Sequence, residues 1–140
     1  MLIYLAGAIT VHHKNNQMDH AYEWRHKSID LLEKQDNFQC FDPTVNFLEN
    51  FGAEVPCKSV VAQNRHYLEK SDIVLLNLDM LHESPGTLWE LYVANENNIP
   101  VYAFGDSEWS WSPHVNQSIT GRFKDLYTTI NHIKNMYHKF

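Results

Sequence analysis

Cysteine is scarce in this chain: Cys40 and Cys57 are the only two, and their spacing matches neither a C-x-x-C redox pair nor a zinc knuckle. Basic charge is also short, with 11 Lys and Arg against 17 Asp and Glu for a net charge of -6, which argues against polymeric nucleic acid as a partner. No run approaches the roughly 18 apolar residues of a membrane span, and the amino-terminal residues lack the charged and apolar regions of a secretory leader. The expected compartment is the cytoplasm, with no membrane partner. Repeats, low-complexity tracts and internal linkers are missing, and 140 residues suit one domain (1–140) that needs no disulfides. The glycine-rich dinucleotide fingerprint is missing too: after the first apolar run the chain reads Gly7-Ala8-Ile9-Thr10, which excludes a Rossmann dehydrogenase. Nine histidines are present, but they are scattered and never form H-x-x-x-H with an acid, so neither a metal nor a cofactor is expected.

What the chain does have is an alternation of short apolar runs and helical patterns. Leu2 to Ala6, Phe38 to Phe41, Ile73 to Leu78 and Val101 to Gly105 read as strands, the third apolar at nearly every position, as a strand covered on both faces should be. Ile119 to Phe123 is a candidate fifth, edge strand. Helical spacing runs from Met18 to about Lys34, from about Lys58 to Lys70, through Glu90 to about Asn97, and from Asp125 to Tyr137. Ala8 to Gln17 is polar and reads as a loop over the carboxyl end of the sheet. Thr44 to Pro56, with Phe47, Phe51 and Gly52, reads as irregular; it suits either the wall of a nucleobase-sized pocket or a loop packing its own apolar residues. The pattern predicts an α/β fold: a three-layer, doubly wound parallel sheet of four to five strands in a flavodoxin-like order. Arg25 falls within the apolar arc of its helix. Snorkelling to the edge is the expectation for it, and facing the site or pairing with a buried carboxylate is the alternative.

In such a fold ligands bind where the carboxyl ends of strands meet the amino ends of the following helices. The stretch Ser84-Pro85-Gly86-Thr87-Leu88-Trp89-Glu90 follows the most apolar strand, turns through Pro and Gly, and opens a helix that carries Glu90 in about its first turn. An acid there is also what the helix macrodipole favours in any protein. The small residues before Glu90, and the second strand end at Tyr4-Leu5-Ala6-Gly7, point instead to a built site. Asn64 lies on the inward side of its helix, and Asp79 stands at the end of the third strand.

Three blocks together resemble the nucleoside 2-deoxyribosyltransferase family: Ile3-Tyr4-Leu5-Ala6-Gly7, Ser71-Asp72-Ile73-Val74, and Ser84-Pro85-Gly86-Thr87 followed by Glu90-Leu91 and Ala94. Asp42-Pro43 and Pro100-Val101 fall in step with them, so the likeness extends over roughly residues 2 to 105. The resemblance implies that Glu90 is a nucleophile and that Tyr4 hydrogen-bonds and positions it. The reaction it implies moves a 2-deoxyribosyl group between nucleobases through an ester on that Glu, with retention at the anomeric carbon. A 2'-deoxynucleoside and a free nucleobase would be the partners, and Gly7, Ile9, Asn64, Asp79, Ser84, Gly86 and Thr87 the substrate-binding residues. A carboxylate suits such chemistry, as in retaining glycosidases, because it captures an oxocarbenium-like centre and leaves again.

Two departures matter. Many members carry Asp where this chain has Asn64, and an amide cannot serve as an ordinary general acid, which leaves Asp79 and Glu83 as candidates for proton delivery. Ser84 stands where the better-known transferases tend to have Asp. Relatives that hydrolyse deoxynucleoside 5'-monophosphates look similar at this point, with a Ser contacting the phosphate, although Ser84 before Pro85-Gly86 also suits a plain turn. The resemblance further implies a homo-oligomer in which a neighbouring subunit supplies a polar residue, Asn116 or Ser118. A non-catalytic nucleotide-binding module remains the reading that fold alone permits.

Overall fold

The computed structural model describes residues 1–35, 37–47 and 57–138. Its strands are β1 (Leu2–Ala6), β2 (Gln39–Phe41), β3 (Ile73–Asn77), β4 (Val101–Phe104) and β5 (Gly121–Phe123). Every pairing is parallel, and the order β2-β1-β3-β4-β5 is the flavodoxin-like one expected. The helices are α1 (Thr10–Lys14), α2 (Met18–Leu32), α3 (Cys57–Lys70), α4 (Pro85–Glu96), α5 (Pro113–Gln117) and α6 (Leu126–Tyr137).

Alternation along each strand sorts the side chains into two cores. Ile3, Leu5, Ile73, Leu75, Tyr102 and Phe104 face the layer containing Trp24 and Leu32 of α2 and Ile130 and Ile133 of α6. Tyr4, Ala6, Val74, Leu76, Val101 and Ala103 face the opposite layer, with Leu68 of α3 and Leu91, Val93 and Ala94 of α4. The central strands are buried on both sides, so no polar alternation is visible in their sequence. Parity also decides function: Tyr4 must point towards α4, and a slip of one residue would send it to the other face.

Two expectations need correction. The segment Ala8–Gln17 is not all loop, because Thr10–Lys14 forms a short helix whose buried residues are Val11 and His12. Arg25 does not snorkel. It is fully buried, with Nη1 donating to Ala21 O (2.7 Å), Nη2 to Gly7 O (2.9 Å), and Nε 3.5 Å from Asp42 Oδ1. A snorkelling arginine needs a path to water, whereas α2 aims this one under the end of β1, where carbonyls and a carboxylate replace water. A 3-10 turn, Pro43–Phe47, follows β2. The Phe51 and Gly52 assigned to a pocket wall or self-packed loop, and the side chain of Phe47, lie outside the described residues.

Gly121 sits opposite Tyr102 in the β4–β5 ladder, and a Cβ there would meet Tyr102 Cδ1 at 2.9 Å and Phe123 Cε2 at 3.2 Å. Gly121→Ala should therefore cost about 1–3 kcal/mol through overpacking, measured by urea unfolding. A variant as stable as the parent would show that the two rings move aside freely.

Candidate active site

Gly7 follows the last residue of strand β1, and α4 begins with Pro85 as its first residue, so the chain turns twice through small residues at the same end of the sheet. Between them lies a cleft of about 470 Å3. Gly7, Ile9 and Thr10 form one lip, Ser84, Gly86 and Thr87 another, and Val60, Val61 and Asn64 of α3 the wall, with Glu90 among the lining residues. A broader hollow of about 540 Å3 along the β2 edge has one carboxylate, Glu33, whose Oε1 already accepts from Cys40 N (2.9 Å). Its described lining residues lack the convergent polar groups of the cleft.

Glu90 is the sixth residue of α4, beyond the first turn, and α4 has no acid in that turn. The macrodipole account of an acid at a helix start therefore does not cover it. Glu90 is 9% exposed and its Oε2 has no hydrogen-bond partner. Burial pushes its carboxyl up to about 7, against smaller opposing effects of Tyr4 and Arg25. The Tyr4 hydroxyl comes near enough to bias this titration but stays outside strict hydrogen-bond geometry, and it too has no partner. Its own ionisation is pushed far up, first by burial and then by the Glu90 charge, so the group is a permanent donor. The Tyr4 ring packs on Phe41 (centroids 5.4 Å apart), which stacks on Tyr67 of α3 (4.2 Å). This aromatic column fixes the hydroxyl under α4.

The first turn of α4 lacks a side-chain cap, since the Ser84 hydroxyl pairs with that of Thr87 instead (2.6 Å). The Gly86 and Thr87 amides are thus open to an oxygen entering the cleft. A Cβ on Gly86 would meet nothing within 4 Å, so the glycine leaves room on the cleft side.

Of the expected site residues, Gly7, Ile9, Asn64, Ser84, Gly86, Thr87 and Glu90 share the cleft, and Tyr4 lies beneath it. Asp79 does not line the cleft; it is exposed, and its charge acts on His12 of α1. Asn116, on α5, is also exposed and away from the described lining. Glu83 does line it. Sequence reasoning missed the apolar wall of Pro43, Val60 and Val61 and the role of Asp42, which it used only as part of the Asp42-Pro43 pair in step with the family blocks. The Asp42-Pro43 pair was the available signal. Among the described residues no group of three His, Cys, Asp or Glu side chains is placed to hold a metal ion. No helix there is long and apolar enough to cross a membrane.

A family model described as "Nucleoside 2-deoxyribosyltransferase like" matches residues 1–107, and the chain belongs to that family. Solved structures support the fold. A 2-deoxyribosyltransferase from Bacillus psychrosaccharolyticus is 22% identical with a TM-score of 0.73, covering 94% of this chain and 91% of that one. A conserved protein from Enterococcus faecalis V583 is 15% identical with a TM-score of 0.70, covering 97% and 98%. A CMP N-glycosidase from Clostridium botulinum is 11% identical with a TM-score of 0.58, covering 97% and 99%. A comparison with curated proteins found no match.

The raised Glu90 carboxyl has a stability consequence. Protonated Glu90 is buried at little cost, so its favourable contribution is complete below the ordinary 4.5 and is lost as pH rises through about 7. Glu90→Gln abolishes this loss. Its stability relative to the parent should therefore grow between pH 4.5 and 8 by on the order of 3 kcal/mol, read from urea unfolding at each pH. A difference that does not change with pH would place Glu90 in contact with water.

Proposed function

We propose that the protein transfers a 2-deoxyribosyl group from one nucleobase to another, with Glu90 as the nucleophile. The observation that carries this is the buried, unpartnered Glu90 carboxylate beside the Tyr4 hydroxyl at a cleft with an apolar wall. One Glu90 oxygen attacks the anomeric carbon as the bond to the base nitrogen breaks, the bonding pair leaving with the base, which takes up a proton. A second base then attacks the same carbon from the vacated face, giving its N–H proton to the Glu83 carboxylate left by the first step, and the ester C–O bond returns its electrons to Glu90. Two inversions give retention. A sugar without a 2-hydroxyl ionises more readily, so few catalytic groups suffice.

Each residue has a role in this scheme. Tyr4 orients the carboxylate, the wall of Pro43, Val60 and Val61 takes the face of the base, and Asn64 meets its polar edge. The departing base takes its proton from Glu83, the acid other than Glu90 among the described lining residues. The sugar's 5'-oxygen lies against Ser84, Gly86 and Thr87. The remaining substrate contact, from Asn116 or Ser118, would come from a neighbouring subunit of a homo-oligomer, as in the sequence-based expectation.

Hydrolysis of deoxynucleoside 5'-monophosphates is the second reading, favoured by the paired Ser84 and Thr87 hydroxyls at the uncapped start of α4. Against it, the described lining residues include no Lys, Arg or His to balance a phosphate. An uncharged 5'-hydroxyl suits that lining better than a phosphate.

Chromatography of a 2'-deoxynucleoside incubated with the protein, with and without a second free base, tests the reading. Base exchange is expected, while free sugar alone means a hydrolase, and binding without turnover means a nucleotide-binding module. Glu90→Gln should lose a thousand-fold or more, on the order of other nucleophile deletions; retention of about a tenth of the rate would remove Glu90 from this role. Tyr4→Phe should lower the rate more than the stability, because the ring still packs while the orienting hydroxyl is gone. An unchanged rate constant would assign Tyr4 to the core alone. The nucleoside should be turned over faster than its 5'-monophosphate, and the opposite order, abolished in Ser84→Ala, would establish the nucleotide hydrolase.

A further inference from the structure

A buried polar atom without a hydrogen-bond partner is costly unless a ligand or water meets it. Two such atoms, Tyr4 Oη and Glu90 Oε2, belong to the cleft. Three more gather at another corner, around the carboxyl ends of β4 and β5: Ser107 Oγ and Arg122 Nε and Nη1. A cavity of about 460 Å3 opens there, lined by Gly105, Asp106, Trp111, Arg122, Phe123 and Lys124. It shares no described lining residue with the cleft.

The Arg122 guanidinium is the centre of this corner. Its Nη2 donates to Ser110 O, while Nε and Nη1 find no acceptor. A structural arginine spends its donors on protein oxygens, as Arg25 does on the Ala21 and Gly7 carbonyls. One face of the Arg122 group is covered by the Trp111 ring, whose centroid lies 3.7 Å from Cζ, and that ring is itself 63% exposed. Asp106 is the carboxylate of the lining, and its Oδ1 already accepts from Ser107 N (2.9 Å) and Ser110 Oγ. Arg122 and Lys124 against Asp106 leave this lining one net positive charge, whereas the described cleft lining carries Glu83 and Glu90 and no cation.

We infer that this corner is a second binding site, for a phosphate monoester joined to a flat ring, the chemistry of a nucleoside 5'-monophosphate. Trp111 is its moving part. The indole swings off the guanidinium, uncovers Nε and Nη1 to the phosphate, and stacks on the ring of the ligand instead. Lys124 and the Ser107 hydroxyl complete the phosphate contacts. A bare inorganic anion would leave the exposed indole unused, and a neutral ring would leave the guanidinium unsatisfied. A nucleic-acid polymer is disfavoured by the net charge of -6. The inference does not rest on the role proposed for Glu90.

The test is a 15N NMR titration of the full-length protein with deoxyadenosine 5'-monophosphate, and with deoxyadenosine and inorganic phosphate as separate probes. The monophosphate should shift the Trp111 indole N–H and the Ser107 and Lys124 amides, saturably and at lower concentration than either other probe. Trp111→Ala should weaken its binding roughly tenfold, the worth of one stacked base, and leave inorganic phosphate no weaker. Arg122→Lys, which keeps the charge but loses the planar group, should weaken both phosphate-bearing probes. Lys124→Ala, at an exposed side chain, should weaken them about threefold. Ser84→Ala, in the cleft, should change none of these shifts. Inorganic phosphate binding as tightly as the monophosphate would overturn the nucleotide assignment. Shifts that centre on Gly7 and Thr87 and vanish in Ser84→Ala would place the nucleotide in the cleft and overturn the second site. Corner shifts in a protein that turns over no deoxynucleoside would uphold this site and defeat the transferase reading, and base exchange without corner shifts would do the reverse.

Discussion

A guanidinium with no access to water holds the working edge of this molecule together. Arg25 reaches from α2 beneath the end of β1, bonds the carbonyls on either side of its own core layer, and meets Asp42 where β2 ends. Three elements distant in sequence are thereby fixed at one point. Desolvating such a group is costly, and it is tolerated only because its nitrogens find acceptors and its charge finds a carboxylate. Because Gly7 is one of those acceptors, the position of the cleft lip depends on the same contact.

The second constraint is the burial of Glu90. A carboxylate six residues into a helix, packed over a tyrosine with no partner for Oε2, is destabilising whenever it is ionised. Folding tolerates this because the surrounding layer of Leu68, Leu76, Leu91 and Ala94 supplies ample apolar burial. An acid held near neutrality beside a permanent donor is the combination that nucleophilic or acid–base chemistry uses, although buried networks with a purely structural role have shifted acids too. The family assignment and the cleft make chemistry the better account.

Much of this was legible in the sequence because its signals are local. The apolar runs Leu2–Ala6 and Ile73–Asn77 announce strands covered on both faces, and the parity of β1 then places Tyr4 opposite the helix of Glu90. Small residues at Gly7 and Gly86 mark the places where the backbone stays open. What escaped was non-local or short. Arg25 lies in an apolar arc, which admits a snorkelling stem as readily as a buried ion pair, and its partner Asp42 is close only after α2 and β2 have packed. Helix α1 is five residues of mostly polar chain without a side-chain cap, so it carries no periodicity to detect. Asp79 shares a strand end with the cleft but turns towards α1, and nothing in its neighbours foretells that turn.

The central claim, that Glu90 bonds covalently to the sugar, is tested most directly with a mechanism-based 2-fluoro-2-deoxynucleoside. After incubation and digestion, mass spectrometry should find one fluorinated sugar added to the peptide that contains Glu90. An adduct on another residue, or turnover of the natural nucleoside with no adduct at all, would contradict the account.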